Sequence, residues 1–185
     1  MNTNRAIKKV AMIGAGIAGL SCAQELQSYG ITVDIFEKSR GPSGRMSTRR
    51  SEEWSADHGA QYFTANDPAF RTALAHWQQA GVAQLWTPRL QVLGDATRTP
   101  DPSLERFVGV PRMTAPARFM AESLNVETQY TVRALQRDAS GWQLQSDEHG
   151  WSSQRFDAVL LAVPSPQAVP LVRPHVPDLA ALAES

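Results

Sequence analysis

The sequence predicts an α/β protein built on a parallel sheet with a later antiparallel meander, and three observations carry that expectation. An apolar strand, a glycine turn, a helix and a β-branched strand follow one another within Val10–Glu37, the opening of a β-α-β unit. Three short strand patterns separated by Asp/Gly turns fill Val132–Phe156, as a meander does. The continuous apolar run Asp157–Val163 then reads as a strand buried on both faces, the usual state of a parallel-sheet strand.

Taken in order, Val10–Ile13 is the first strand. Ile17–Tyr29 has apolar residues at helical spacing (Ile17, Leu20, Leu26), and Gly30 stands where a C-terminal cap belongs. Thr32–Phe36 alternates and ends at Glu37. Lys38–Ser55, rich in glycine, serine and arginine, reads as an ordered loop or short helix. Asn66 or Asp67 caps a helix with Pro68 at its first position; Phe70, Leu74 and Trp77 share its apolar face and Gly81 ends it. Leu85–Arg106, with Gly94-Asp95 and several prolines, reads as strands and irregular loops of an inserted region.

A further helix is expected from Thr114, with Pro116 in its first turn and Phe119, Met120 and Leu124 on its apolar side. The meander strands are Val132–Arg137, Trp142–Ser146 and Trp151–Phe156, with Trp142 and Trp151 covering it. Pro164 and Pro166 end the last strand, and Leu179–Ala183 begins a final helix.

The 185 residues are 42% apolar and 19% charged, the balance of a core-forming globular protein. Basic and acidic residues number 18 each, so nothing in the charge points to nucleic acid. Cys22 is the only cysteine; it excludes an internal disulfide, fits a reducing cytoplasm and reads as a small packed residue. His76, His149 and His175 show no ligand spacing, and no metal is expected. Arg5, Lys8 and Lys9 ahead of Val10–Leu20 have the outward look of a secretory signal. The spacing of Gly14, Gly16 and Gly19 serves another purpose, however, and no small-x-small cleavage site follows. No apolar stretch reaches the roughly 20 residues of a membrane span.

That other purpose is dinucleotide binding. Gly14-Ala15-Gly16-Ile17-Ala18-Gly19 is GxGxxG with a strand before it and a helix after. The first glycine permits the tight turn, the second lets a pyrophosphate approach the backbone, and the third lets helix and strand pack closely. The diphosphate then sits at the positive end of the helix dipole. Glu37, 18 residues beyond Gly19, can accept hydrogen bonds from ribose hydroxyls and would repel a 2′-phosphate. This motif alone leaves NAD and FAD both open.

Lys38-Ser39-Arg40-Gly41-Pro42-Ser43-Gly44-Arg45-Met46 follows at once. It resembles the arginine–glycine–arginine segment that follows the ribose-binding glutamate in flavin amine oxidases, with Ser43-Gly44 where that pattern has paired glycines. Small residues let backbone N–H groups close over a diphosphate while an arginine supplies fixed charge. Arg49 and Arg50 read equally as part of that charged segment or as solvated loop residues. Asp57-His58-Gly59-Ala60-Gln61-Tyr62-Phe63-Thr64-Ala65 resembles a hallmark of renalases, small flavin oxidases close to that group. Val108–Thr114 and Phe156–Pro164 are similar to the same family, with Arg112 where a glycine is expected.

The resemblance implies an FAD-binding Rossmann-like domain of the glutathione-reductase type, with a β-meander crossover and part of an inserted substrate domain. Residues 1–65 would be the FAD-binding βαβ and diphosphate loop, 66–113 part of the substrate domain, and 114–185 the return to the FAD-binding domain. It implies non-covalent FAD, with Gly59, Ala60 and Gln61 near the flavin ring and Val132 at the adenine. Tyr62 would line the substrate face, and His58 is a weaker catalytic candidate beside it. The implied reaction is hydride transfer from an isomeric dihydronicotinamide dinucleotide to flavin, with reoxidation by dioxygen to hydrogen peroxide. A flavin amine oxidase is the nearest alternative; an NAD-dependent dehydrogenase and a non-catalytic flavin-binding module are alternatives of other classes. Such enzymes are near twice this length, so the chain is expected to be the N-terminal part only, without a last glycine-rich motif.

Overall fold

The computed structural model describes residues 6–91, 93–94, 101 and 103–184. Arg5, and the part of the Leu85–Arg106 stretch around Asp95, lie outside them. The chain divides into two units: residues 1–44 with 120–185, and residues 45–119.

The first unit is built on a four-stranded parallel sheet. Its strands are β1 (Lys9–Ile13), β2 (Thr32–Glu37), β7 (Asn125–Thr128) and β11 (Ala158–Leu161), in the order β11-β1-β2-β7. Helix α1 (Ile17–Ser28) crosses from β1 to β2. Alternation along the strands divides their side chains between two faces. Ala11, Ile13 and Phe36 join Tyr130, Leu144, Phe156 and Leu171 in one cluster, which brings the meander onto that face. Phe36 sits 4.6 Å from the Tyr130 ring and edge-on to Phe156 at 5.8 Å. Val10, Met12, Val33 and Ile35, all at 2% exposure or less, point to the other face, where Leu20 and Ala23 of α1 are buried.

The meander consists of β8 (Val132–Asp138), β9 (Gly141–Ser146) and the two-residue β10 (Gly150–Trp151). The chain closes with α4 (Ser165–Val172) and α5 (Pro177–Glu184).

In the second unit, β3 (Thr48–Arg50) pairs antiparallel with β4 (Ser55–Asp57), and β5 (Ala83–Trp86) with β6 (Arg106–Gly109). Helix α2 (Pro68–Gln79) lies between these hairpins in sequence, and α3 (Ala115–Ala121) follows them and runs past the second unit's last residue, Phe119. Phe63, Phe70, Trp77 and Phe107 form a ring cluster with centroid spacings of 5.6–6.0 Å, and Phe63 and Phe107 exchange two backbone hydrogen bonds. The Asp67 carboxylate caps α2, accepting from the Phe70 N–H at 3.0 Å, with Pro68 at the first position. Asp67→Ala is expected to cost about 1 kcal/mol, read as a lower urea midpoint with an unchanged m-value.

Several expectations need correction. The 38–55 stretch holds a 3-10 turn at Gly44–Met46 and a strand pairing that its composition hides. Asn125–Thr128, unassigned in sequence, is the outer strand next to β2. The run 157–163 forms only Ala158–Leu161, at the sheet edge, where no residue is fully buried and Leu160 is 37% exposed. Pro166 does not merely end a strand: with Pro164 before it, it opens α4, because proline's fixed φ suits a helix's first turn. Phe119 is exposed because the short α3 turns Pro116, Ala117 and Met120 inward instead. Cys22 is likewise exposed, since α1 buries Gly19, Leu20 and Ala23, a stripe that excludes it. Trp151 stands on the shortest meander strand and is exposed, and Phe156 makes only a single bridge to Trp142.

Candidate dinucleotide-binding site

The glycine turn joins β1 to α1, and its three glycines differ in what demands them. Gly14 adopts φ +103° and donates its N–H to the Phe36 carbonyl at 2.9 Å. A Cβ on Gly14 would fall 2.7 Å from the Ala162 oxygen, and one on Gly19 only 2.1 Å from the Gly14 oxygen. Both are packing glycines. At Gly16 the nearest atom to such a Cβ is the Gly44 Cα at 3.9 Å. Gly16 and Ile17 are half-buried and Ala18 is exposed, so the start of α1 opens to solvent.

No side chain caps that start, and no acidic residue stands in the first turn. The free N–H groups and the positive end of the dipole therefore stay available to an external anion. Glu37 ends β2, 6% exposed. Its Oε2 accepts the Ala15 N–H at 2.8 Å and its Oε1 the Ser39 N–H at 2.9 Å. A carboxylate has about four acceptor positions, so each oxygen keeps room for a further donor. The Glu37 carbonyl accepts from Tyr130 N–H and the Ser39 carbonyl from Gln129 N–H, each at 3.0 Å. These bonds pin the segment entering β8, where Val132 lies two residues on. Burial holds the Tyr130 phenol above its ordinary pKa.

The arginine–glycine segment meets the glycine turn directly. Ser43 N–H donates to the Ala15 carbonyl at 3.0 Å, and a Cβ on Gly44 (φ +55°) would lie 3.1 Å from the Gly16 Cα. Two glycines thus let two chain segments cross. Ser43 is held at φ +154°, buried, where the resembled pattern has a glycine. Ser43→Gly is expected to relieve about 1 kcal/mol of backbone strain, seen as a raised thermal midpoint. Lys38 Nζ donates to Gln167 Oε1 at 3.1 Å, and Arg40 is exposed.

Arg45, Met46, His58, Gly59, Ala60, Gln61 and Tyr62 belong to the second unit. A Cβ on Gly59 would lie 2.0 Å from the Arg45 carbonyl oxygen, so this glycine is required by its own neighbour's backbone. His58 Nε2 lies 3.5 Å from Ser47 Oγ. Tyr62 is 40% exposed, with its ring 6.1 Å from Trp86 and the Arg106 guanidinium 5.4 Å over it. Arg112 is half-buried, and its carbonyl accepts the Ala115 N–H. Sequence reasoning missed Asp57 as a staple: it accepts from Thr48 Oγ1 across β3–β4 and from the Met113 N–H at 3.2 Å. Asp57→Ala, which strands both donors, is expected to cost about 1–3 kcal/mol, measured by urea denaturation. Ser39 was also missed, and its role rests on a main-chain N–H that no residue type signals.

Residues 12–77 match the family described as NAD(P)-binding Rossmann-like domain. This is a Rossmann-like fold. The possible lysine-specific histone demethylase 1 of Drosophila melanogaster is 45% identical over 56 residues, 30% of this chain and 6% of its own length. The L-amino-acid oxidase of Siganus canaliculatus is 41% identical over 64 residues, 34% of this chain and 12% of its own. Among solved structures, a putrescine oxidase redesigned in its cofactor binding superposes at a TM-score of 0.68 and 15% identity. That likeness covers 96% of this chain and 63% of the other, and at such identity it shows the Rossmann-like fold alone. The chain spans a small share of the curated relatives and under two thirds of that solved chain. Among the described residues, no helix is long and apolar enough to cross a membrane, and no three His, Cys, Asp or Glu side chains gather into a metal-binding group.

Proposed function

We propose that this chain is the FAD-binding part of a flavin-dependent oxidoreductase, an oxidase of the renalase type. The observation that supports it most directly is the open, uncapped start of α1 at Gly16 beside a buried Glu37 whose oxygens retain acceptor capacity. That is a cradle for a diphosphate and its ribose. The backbone at Gly14–Gly19 would hold the diphosphate and Glu37 the ribose hydroxyls. Lys38, Arg40, Gly44, Arg45 and Met46 would surround the diphosphate, and Val132 would meet the adenine. Gly59, Ala60, Gln61 and Tyr62 would approach the flavin ring, with His58 beside them.

Bound FAD would supply a two-electron acceptor for hydride from an isomeric dihydronicotinamide dinucleotide, with dioxygen as the final oxidant and hydrogen peroxide as its product. The chain's own part is binding and orientation: the helix dipole fixes the anion and Glu37 selects a free 2′-hydroxyl. Binding is non-covalent in this reading, and the protein is cytoplasmic. Residues 1–65 and 114–185 serve the cofactor, and 66–113 the substrate.

An amine oxidase is the second reading, favoured by the L-amino-acid oxidase and putrescine oxidase among the relatives. The test is to load the protein with FAD and mix it anaerobically with dihydronicotinamide dinucleotide isomers or, separately, with simple amines. Bleaching of the flavin absorbance by the nucleotides alone supports the renalase reading. Bleaching by amines alone replaces it with the second, and a protein that takes up no FAD removes both.

A further inference from the structure

The second unit contains a cleft of about 460 Å³ between the end of β5 and the approach to β6, within the size range of small-molecule sites. Leu85, Trp86, Leu90 and Leu104 give it an apolar lining, and Asp101, Glu105 and Arg106 stand among them. Each of these groups already has partners. Glu105 accepts from the Arg71 guanidinium at 2.6 Å. Asp101 accepts both the N–H and the hydroxyl of Ser103, at 2.8 and 2.6 Å, and these bonds hold its carboxyl below the usual range. Arg106 donates to the Leu104 carbonyl at 3.0 Å and lies over the Tyr62 ring.

What remains unmatched among the described residues is ring and aliphatic surface. Leu85, Trp86 and Leu90 are exposed by 39–44%, and the Tyr62 ring lies beside Trp86, tilted at 41°. An ammonium ion entering here would meet one carboxylate paired with Arg71, a second already under the pull of the Arg106 guanidinium, and repulsion from that guanidinium itself. An anion would meet the Asp101 and Glu105 carboxylates beside that guanidinium. A flat neutral group meets neither obstacle, and it gains aromatic contact and apolar burial.

We infer that this cleft binds an uncharged planar ring, with Trp86 as the stacking face and Leu90 as its apolar wall. The inference rests on the oxidase reading only in making that ring part of the substrate, and it sets specificity against alkylammonium groups.

The test is ligand-observed saturation-transfer NMR on the whole chain, with benzamide as the neutral planar probe and n-butylammonium as the cationic one. Benzamide is expected to give a signal that falls about fivefold in Trp86→Ala and likewise in Leu90→Glu, whose exposed position spares the fold. Trp151→Ala, an exposed aromatic in the first unit, leaves the signal unchanged. A stronger signal from n-butylammonium overturns the inference, as does a benzamide signal that persists in both cleft variants. FAD uptake, recorded by absorbance on the same samples, reports on the dinucleotide site separately, so failure there leaves this result standing.

Discussion

Gly19→Ala is expected to cost the first unit more than about 3 kcal/mol, beyond the usual range for one overpacked methyl, while Gly16→Ala leaves stability within about 0.5 kcal/mol. The reason lies in what each new methyl meets. At Gly19 the obstacle is the Gly14 carbonyl oxygen at 2.1 Å, fixed backbone at the junction of β1 and α1, so the helix must lift away from the sheet. With total stability of about 5–15 kcal/mol for a typical domain, that displacement consumes a large part of it. At Gly16 the new methyl has ordinary contact distance to Gly44, and Gly16 sits at φ −74° and ψ 172°, which alanine adopts freely. In the proposed site the methyl there would occupy the space through which the diphosphate approaches. Gly16→Ala should therefore weaken FAD binding by at least about tenfold with its urea midpoint unchanged. A Gly16→Ala protein that binds FAD normally would contradict the placement of the diphosphate.

Glu37→Gln is the second large effect. Both carboxylate oxygens receive a backbone N–H in a buried setting. An amide has one oxygen and one NH₂, so whichever way it turns, two donors face each other. One orphaned buried donor costs about 1–3 kcal/mol, and more where the lost bond was charge-assisted. Glu37→Gln should thus lose about 2–4 kcal/mol and Glu37→Ala at least as much. FAD affinity should fall at least tenfold in both, read from quenching of flavin fluorescence. The Glu37→Asp variant separates charge from reach: it restores the charge but not the length, and should recover neither bond in full.

How much of this was legible depended on whether the determining contact is local. The β1-α1-β2 unit could be read residue by residue because GxGxxG, Gly30 and Glu37 each carry their own reason for standing where they do. The cap of α2 was legible on the same ground, since Asp67 and Pro68 act within one turn. By contrast, Asn125-Val126-Glu127-Thr128 alternates polar and apolar over only four residues, and becomes a strand through its register with Asp34–Glu37, some ninety residues earlier. The β3–β4 hairpin likewise depends on Asp57 reaching Thr48 and Met113. In the site, the glycines announced themselves, but their division of labour did not. Gly59 was legible as a place of close backbone approach, and the close neighbour in the structure is the Arg45 carbonyl. Ser43 stood out only as a departure from a resembled pattern, and its positive φ gives that departure a physical meaning.

The order β11-β1-β2-β7 places β1 beside a strand synthesised 148 residues later. During translation at about 5–20 residues per second, β1 would wait on the order of ten seconds for that neighbour. Throughout that interval an apolar strand has one side satisfied by β2 and the other open to whatever reaches it first. The whole second unit emerges in between and can fold while the first is incomplete. Newly made chains should therefore pass through a period in which the described elements of the second unit, β3 to β6, resist proteases and the N-terminal strands do not.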